Sequence, residues 1–308
     1  MKINLTVTAE SVEQARELLA AGADTLYIGD KDFGLRVPVP LSYADIQEIT
    51  EMAHTAGKKV TVAVNALMHI EKMAVIKPYL DFLQEIKVDQ ITVGDTGVIF
   101  VLQRDHYELP YIYDASTLVA SSRQINFWAE QGAVGAVLAR ELPKTELEKI
   151  SENLKIPSEI LVYGATIIHH SKRPLLQNYF NFAKVEGEDK NHAANHFVAE
   201  PHDENSHYSI FEDSHGTHIF ANDDLDMMTE LADLAKMGYD HWKLDGIFTS
   251  GENFVEIFKI FDQARKLVEA DEFTQDKAFL LDEQVRKLHP FGRSLSHGFY
   301  DMDPAKIK

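Results

Sequence analysis

Cysteine is missing altogether from this sequence of 308 residues. Disulfide bonds, thiolate metal sites, cysteine nucleophiles and cysteine-held iron–sulfur clusters are therefore excluded for this chain. Long apolar runs are missing as well, because the longest, residues 98–102, is far too short to span a bilayer. Residues 1–10 contain no basic region followed by an apolar core, so no signal peptide is predicted. We expect a soluble cytoplasmic protein with no membrane contact.

Positive charge is also scarce. The chain has 30 Lys and Arg against 49 Asp and Glu, which gives a net charge of −19. Nucleic-acid phosphates attract clustered Lys and Arg, so tight binding of a nucleic acid by this chain alone is disfavoured. Apolar residues make up 45% of the sequence, which is enough for a sizeable folded core.

One local pattern recurs along the chain: the end of a helix, a short link, and then an apolar strand that ends in Gly, Asp or Glu. Its copies occupy residues 21–29, 87–95, 132–141 and 238–246. A glycine in each of three copies suits the left-handed conformation that ends a helix, and the apolar runs suit strands buried on both faces. The uneven spacing indicates a reused supersecondary unit and not a solenoid.

Further strands and helices are predicted between these copies. The strands occupy residues 3–8, 59–65, 110–115 and 159–163; amphipathic helices occupy residues 11–21, 43–56, 72–86, 123–131 and 145–153. Ser11 and Ser42 are predicted N-caps. This alternation predicts an α/β fold, a single (β/α)8 TIM-like barrel. An open doubly wound sheet is the alternative, but no glycine-rich dinucleotide fingerprint follows the first strand.

The regular alternation breaks after residue 180. Residues 183–206 are charged and lack an apolar period, so we predict a loop or lid, followed by a hairpin of residues 207–211 and 217–220. Helices are predicted at 225–236 and 253–270. The predicted organisation is thus a barrel over residues 1–270 with an insertion at 183–221 after strand 7, and a C-terminal extension over 271–308 that packs on the barrel.

Polar residues follow several predicted strands, and in a parallel barrel the carboxyl ends of the strands meet at one mouth. This rule selects Glu10, Asp30, Asn65, Asp95, Ser116, Arg140, Glu141, His169 and Asp245. The adjacent Arg140 and Glu141 predict either an anion or carboxylate site or a structural ion pair that closes the end of the barrel. The residues alone leave both open.

The last predicted strand ends in Lys243-Leu244-Asp245-Gly246. Alternation points Lys243 and Asp245 the same way. An interior lysine needs a carboxylate partner, for which Asp245 or Glu141 could serve. Lys243 is therefore predicted to be either a substrate anchor or half of a buried structural salt bridge.

Histidines are common after residue 168, and His192 and His196 are four residues apart. No His-Glu-x-x-His pattern, spaced zinc motif, Ser-His-Asp constellation or glycine-rich phosphate loop is visible. A solvated loop explains the acidic, histidine-rich insertion more simply than a metal site does, so no metal is predicted.

Residues 162–180 follow an apolar run and carry a dense polar cluster: His169, His170, Lys172, Arg173, Asn178 and Tyr179. This segment resembles the signature of the U32 family of collagenase-like bacterial peptidases. Dispersed matches in the same order extend from about residue 9 to residue 266, including the Arg140-Glu141 pair and Lys243, and the tail around residues 293–300 looks like the family's closing motif. The resemblance implies a barrel fold.

Members of this family were named as peptidases, and collagenase-like activity was claimed for some. Better-defined members support hydroxylation of a transfer-RNA wobble uridine with prephenate, of ribosomal RNA, or of ubiquinone precursors. Several hold an iron–sulfur cluster on four cysteines, and the shorter members often work beside a longer paralogue. This chain most resembles the short member of the prephenate-dependent transfer-RNA hydroxylation pair.

The chain departs from the family pattern at the cysteines. Ile167, Pro174 and Asp226 stand at cysteine positions, the remaining cysteine stretch is replaced by the acidic insertion, and residues 114–118 also differ from the usual motif. We expect no iron–sulfur cluster in this protein. A cluster-dependent redox step cannot be performed by this chain alone, so either the chemistry needs no cluster or a partner performs it.

We therefore expect a component of tRNA wobble-uridine hydroxylation, in which 5-hydroxyuridine forms with prephenate as a co-substrate. A longer paralogue is the expected partner and would supply the surface for tRNA. A collagenase-like peptidase and a non-catalytic scaffold for the paralogue are the alternatives, so whether the chain is itself an enzyme is left open. The predicted catalytic residues are Arg140, Glu141, Lys243 and Asp245, and the predicted substrate-binding residues are Asn65, Asp95, His169, Arg173, Asn178 and Tyr179.

Overall fold

Eight parallel strands close into a ring in the computed structural model, which describes residues 1–115, 119–186, 189–303 and 305, with the side chains of 203–205 left out. Each strand pairs with the next along the chain, and the last pairs with both the first and the seventh. The predicted (β/α)8 barrel is thus confirmed. The strands are β1 Asn4–Thr8, β2 Thr25–Ile28, β3 Lys59–Val64, β4 Gln90–Val93, β5 Tyr111–Tyr113, β6 Ala133–Val137, β7 Ser158–Ser171, β8 Phe197–Glu200, β9 Asp203–Asp213, β10 Gly216–Asp226, β11 His241–Leu244 and β12 Ser294–Ser296, of which β1 to β7 and β11 form the ring.

Helices surround the ring, and local sequence signals fix their ends. The Ser11 and Ser42 side chains accept hydrogen bonds from the first turns of their helices, as predicted, and Gly22 ends the first helix at φ 113°. Short 3₁₀ turns occupy His192–Ala194 and Met228–Glu230. The helices are α1 Val12–Ala21, α2 Tyr43–Thr55, α3 Ile70–Glu85, α4 Thr96–Arg104, α5 Ser122–Glu130, α6 Lys144–Ser151, α7 Leu175–Ala183, α8 Leu231–Lys236, α9 Gly251–Glu269 and α10 Gln275–Leu288.

The two faces of the barrel strands differ in polarity. Outward residues such as Leu5 and Leu26 pack with the helices into one large apolar core. Residues on the alternate, inward positions are buried but often polar. The Tyr27 hydroxyl on β2 and the Thr92 hydroxyl on β4 lie 3.1 Å apart, across a pair of strands that are not neighbours. The barrel interior is therefore a polar environment that can hold charged side chains.

The insertion differs from the prediction. Strand β7 does not end at the barrel mouth near residue 163 but continues to Ser171 and pairs antiparallel with β10. The predicted hairpin exists but is longer, since β9 pairs with β10, and the predicted loop at 183–206 contains β8, which pairs with β9. The long strand offers an edge whose backbone groups must be paired, and β10 pairs them.

The C-terminal residues lie against α9 and against strand β10. Helix α10, which the sequence did not predict, packs beside α9, and β12 pairs parallel with β10. Arg293 Nε donates to Asp224 Oδ2 at 2.8 Å, and both side chains are buried. Within the described residues, no helix is both long and apolar enough to cross a membrane.

Candidate functional site

A cavity of about 560 Å³, partly open to solvent, lies at the carboxyl ends of the barrel strands. Charged and amide side chains from several strand ends converge there, together with apolar residues from β6, β7, β10 and the loop after β11. The lining residues are Tyr27, Leu35, Arg36, Asn65, Asp114, Val137, Leu138, Arg140, Ile167, Phe220, Lys243, Asp245 and Ile247. Strand ends and the loops that follow them bring these groups together, as expected at the active face of a parallel barrel.

Lys243 lies inside the barrel and is only 4% exposed. Its ammonium nitrogen is 3.3 Å from the centre of the Tyr27 ring and 3.7 Å from Glu159 Oε1. The sequence suggested Asp245 or Glu141 as the partner of this lysine; Glu159 on β7 forms the ion pair instead. Burial disfavours the charged ammonium, but the acidic groups around it, Tyr27 and Glu159 foremost, raise the pKa of Lys243. The lysine therefore stays protonated.

Arg140 follows β6 and points into the cavity. Its Nη1 donates to the Ala165 carbonyl at 2.6 Å, and its Nη2 lies 3.9 Å from Asp245 Oδ2. The carbonyl contact holds one edge of the guanidinium, while the distance to Asp245 is long for a hydrogen bond. Arg140 is thus fixed in place, and no carboxylate of the described residues lies within hydrogen-bond distance of it, which suits it to bind an added anion.

Asp245 is positioned by a close approach of β7 to the end of β11. Its amide donates to the Tyr163 carbonyl at 2.9 Å, and its Oδ1 accepts from the Ile247 amide at 3.1 Å. Gly164 adopts φ +122°, and a Cβ atom there would come within 2.3 Å of the Asp245 carbonyl oxygen. Only glycine accommodates both the left-handed backbone and this contact.

Asn65 links the side chains of Tyr27 and Asp114 to the loop that precedes Arg36. Its Nδ2 donates to Asp114 Oδ2 at 2.8 Å and to the Tyr27 hydroxyl at 3.3 Å, while its Oδ1 accepts from the Leu35 amide at 2.9 Å. The last bond anchors the loop that carries Arg36 over the cavity. Burial lowers the pKa of Arg36, Arg140 lowers it further, and Asp114 opposes them; an arginine remains charged under such a shift.

Cations gather in the cavity although the chain is strongly acidic. Three cations line it, Arg36, Arg140 and Lys243, against two carboxylates, Asp114 and Asp245. Glu159, which pairs with Lys243 from outside the lining, brings the group to three cations and three carboxylates, so the cavity is locally neutral in a protein whose net charge is −19. Guanidinium groups that converge in a partly enclosed cavity are well suited to a carboxylate ligand.

The structure places the predicted residues in three groups. Asn65, Arg140, Lys243 and Asp245 line the cavity, and Asp95 and His169 line an adjoining cavity of about 980 Å³ that shares Arg36, Asn65 and Asp114 with the first. The remaining predicted residues are exposed at the surface and outside both linings: Glu141, Arg173, Asn178 and Tyr179.

Other residues selected at strand ends support the backbone. Asp30 is buried and accepts hydrogen bonds from the amides of Asp32 and Phe33, and burial raises its pKa. Glu10 accepts from the Gly251 amide. Ser116 lies outside the described residues.

Sequence reasoning missed Tyr27, Arg36 and Asp114 as site residues. Tyr27 occupies the middle of an apolar strand, and Arg36 belongs to a loop, so neither stands at a strand end. Asp114 directly follows β5, and this position was the signal that could have found it.

Other residues stand where the family pattern has cysteine, and each lies in a different environment. Ile167 is buried in an apolar cluster with Phe211 and Phe220. Pro174 precedes α7, and Asp226 is buried at the end of β10, where burial raises its pKa to about 7. Among the described residues, no group of three or more His, Asp or Glu is placed to hold a metal ion.

Comparison with known proteins gives consistent similarities. The family model described as peptidase family U32 matches residues 10–308. The tRNA hydroxylation protein P2 of Bacillus subtilis is 32% identical over 302 residues, which cover 97% of each chain. The tRNA hydroxylation protein P1 of the same organism is 24% identical over 277 residues, covering 87% of this chain and 64% of that protein. A solved U32 peptidase structure superposes with a TM-score of 0.52 over 82% of this chain and 94% of that one at 16% identity, a likeness in fold.

Proposed function

Because the chain belongs to peptidase family U32, we propose that it is a component of tRNA hydroxylation that acts in the formation of 5-hydroxyuridine at the wobble position. The observation that carries the proposal is the similarity to tRNA hydroxylation protein P2, which extends over 97% of both chains and so includes the barrel, the insertion and the C-terminal extension alike. The cavity, into which two arginines and a lysine converge, supplies a site for the chemistry.

The cavity binds an anionic co-substrate in this proposal, and prephenate, which carries two carboxylates, is the molecule we assign to it. Arg140 offers its guanidinium edge, Arg36 covers the opening, and Lys243 contributes a fixed positive charge from below. Two guanidinium groups and one ammonium suit a dicarboxylate because Arg pairs with carboxylates in a planar, two-point geometry.

The chain's own residues then act by binding and orientation. Lys243 remains protonated and so serves as a charge, not as a nucleophile or a base. Asn65 bridges Tyr27 and Asp114 and holds the loop before Arg36. These contacts preorganise the cations before the co-substrate arrives, which reduces the cost of binding.

An iron–sulfur cluster does not fit the residues of this chain. The positions in question hold Ile167, Pro174 and Asp226, and the sequence provides no thiolate. A step that requires such a cluster belongs, in this proposal, to a longer paralogue that works with this chain. The existence of two similar proteins of unequal length in Bacillus subtilis, P1 and P2, supports a pair.

A peptidase is the second candidate, favoured by the description of the family. The residues that line the cavity within the described chain include no serine, threonine, histidine or cysteine, so a hydroxyl or thiol nucleophile of Ser, Thr or Cys beside a histidine base is not among them. We rank this function below hydroxylation for that reason.

Deletion of the gene separates these functions. Loss of 5-hydroxyuridine from bulk tRNA, measured by nucleoside mass spectrometry and restored by the wild-type gene, is the expected result. Unchanged 5-hydroxyuridine together with cleavage of gelatin by the purified chain would favour the peptidase. A scaffold without its own site predicts loss on deletion and full restoration by a variant with Arg140→Gln, Lys243→Met and Glu159→Gln, in which neither charge of the buried Lys243–Glu159 pair is left without its partner.

A further inference from the structure

Helix α7 has two apolar faces, of which only one is buried. Leu176 and Phe180 are 6% and 7% exposed and face the β9–β10 hairpin. Leu175, Tyr179 and Phe182 lie on a second stripe at helical spacing and are 36%, 61% and 87% exposed. We call these three residues the α7 face. Most of the Tyr179 and Phe182 side chains is exposed, so their aromatic rings are accessible to a ligand.

The surroundings of the α7 face are basic in an otherwise acidic protein. Residues 160–185 contain no Asp or Glu, although 49 of the 308 residues of the chain are acidic. Lys172 and Arg173 precede the helix in sequence, Lys184 follows it, and all three are exposed; Lys172 Nζ donates to the Ser214 carbonyl at 2.9 Å. None of the three takes part in the ion pairs found between described residues, whereas many other surface Lys and Arg do.

Two acidic side chains on the hairpin beside α7, Glu212 and Asp213, have partners within the chain. Glu212 is buried and accepts from the Gln177 amide at 3.2 Å, and it pairs with Lys190 at 3.3 Å. Asp213 pairs with His218. Glu186 and Asp189 follow the helix and mark the end of the basic segment.

Strand β7 connects the cavity region to the helix. His169 and Ile168 on β7 line the cavity that adjoins the proposed co-substrate site, and α7 begins shortly after β7 ends at Ser171. The α7 face and the adjoining cavity are therefore joined by one strand and a short link.

We propose that the α7 face, with Lys172, Arg173 and Lys184, binds unpaired bases of the RNA substrate. This inference rests on the proposed function and names the chain's own contact with RNA. Exposed aromatic rings stack on unpaired bases, and cations beside them contact the phosphates. The apolar stripe alone would also suit a protein partner. A segment without acidic residues, whose three cations take no part in the ion pairs between described residues, favours RNA as the occupant.

The test is a fluorescence titration of the full chain with a labelled RNA hairpin whose loop contains an unpaired uridine. Combined Tyr179→Ala and Phe182→Ala is expected to weaken binding roughly 5- to 150-fold, the loss of about one stacked base. Tyr179→Phe keeps the ring and should bind like the wild type. Phe279→Ala removes another exposed ring, on α10, and should have no effect. A duplex of the same sequence should bind more weakly than the hairpin.

Unchanged affinity in the double alanine variant would overturn the inference, as would equal binding of duplex and hairpin. Release of a copurified longer paralogue by the same substitutions, with RNA affinity intact, would identify a protein interface and equally overturn it. The titration measures RNA binding without any hydroxylation, so each of the two proposals can be refuted without the other. Normal 5-hydroxyuridine after gene deletion refutes only the proposed function, whereas unaltered RNA binding by the variant refutes only this inference.

Discussion

The buried charges inside the barrel depend on one another at the scale of single residues. Lys243 and Glu159 are 4% and 7% exposed and form an ion pair, and Tyr27 lies against the ammonium group. Removal of one member of such a pair leaves the other charge buried without compensation, which costs more than the pair itself contributes.

Lys243→Met is therefore expected to abolish hydroxylation and also to destabilise the fold by roughly 3–5 kcal/mol, because Glu159 keeps its charge. Adding Glu159→Gln should restore most of the stability and none of the hydroxylation. Urea denaturation measures the first quantity, and nucleoside mass spectrometry of tRNA the second. Hydroxylation by the double variant would show that the cation is not needed.

Some of this site was predictable from the sequence and some was not. Alternation along one strand predicted that Lys243 and Asp245 share a face, and both line the cavity. The partner Glu159 was not predicted, because the pairing of β7 with β11 depends on closure of the ring and not on any local pattern. Arg36 was missed because the bond from the Leu35 amide to Asn65 that anchors its loop joins distant parts of the chain.

At the scale of elements, strand β7 shows which part of a strand a local sequence pattern can predict. Its apolar first half was predicted, but the polar residues from His169 onward were interpreted as a cluster beyond the end of the strand. They remain in the strand because β10 supplies backbone partners. Such pairing joins segments that are distant in sequence, and the amino-acid composition of either strand indicates it only weakly. Helix α10 was missed for a related reason, since its burial comes from α9 and not from the barrel.

The end of β10 contains a carboxyl group that makes stability depend on pH. Burial, with a further contribution from Asp282, raises the pKa of Asp226 to about 7. The unfolded value is about 4, so the folded protein holds the proton more tightly. The resulting stabilisation is complete below about pH 4 and is lost as the pH rises through about 7.

Asp226→Asn should remove this loss, because the amide carries no charge at any pH. From about pH 5 to about pH 8, the free energy of unfolding of the variant should rise relative to that of the wild type by roughly 2–4 kcal/mol. Urea unfolding at both pH values measures the difference. Glu283→Gln changes an exposed carboxyl on α10 and serves as the control. An equal stability difference at both pH values would contradict the assignment.

The distribution of charge is the main feature at the scale of the whole molecule. A net charge of −19 repels a phosphate backbone, while cations gather locally in the cavity and along the α7 segment. The barrel itself was predictable from the sequence, because alternating strands and helices are a local and repeated signal. The placement of these cations was not, because net charge carries no information on where the cations gather.

The isolated chain should consequently bind tRNA weakly and with a shallow salt dependence. Neutralisation of about three phosphates gives a slope near −2 in a plot of log K against log salt, so affinity should fall only about 20-fold between roughly 50 and 200 mM salt. A complex with a longer paralogue should bind more tightly and with a steeper slope, because the partner supplies further cations. Fluorescence titration of tRNA at several salt concentrations measures both. A steep slope for the chain alone would show that it carries its own extended RNA surface.

The cavity around Arg140 takes part in tRNA hydroxylation in the proposed function. The most direct measurement is the amount of 5-hydroxyuridine in tRNA from a deletion strain that expresses Arg140→Gln, with Glu141→Gln as the matched variant at the neighbouring, exposed position. We expect at least a tenfold loss for Arg140→Gln, the scale of one charged hydrogen-bonded contact, and wild-type levels for Glu141→Gln. Normal 5-hydroxyuridine with Arg140→Gln, at equal protein abundance, would contradict the account.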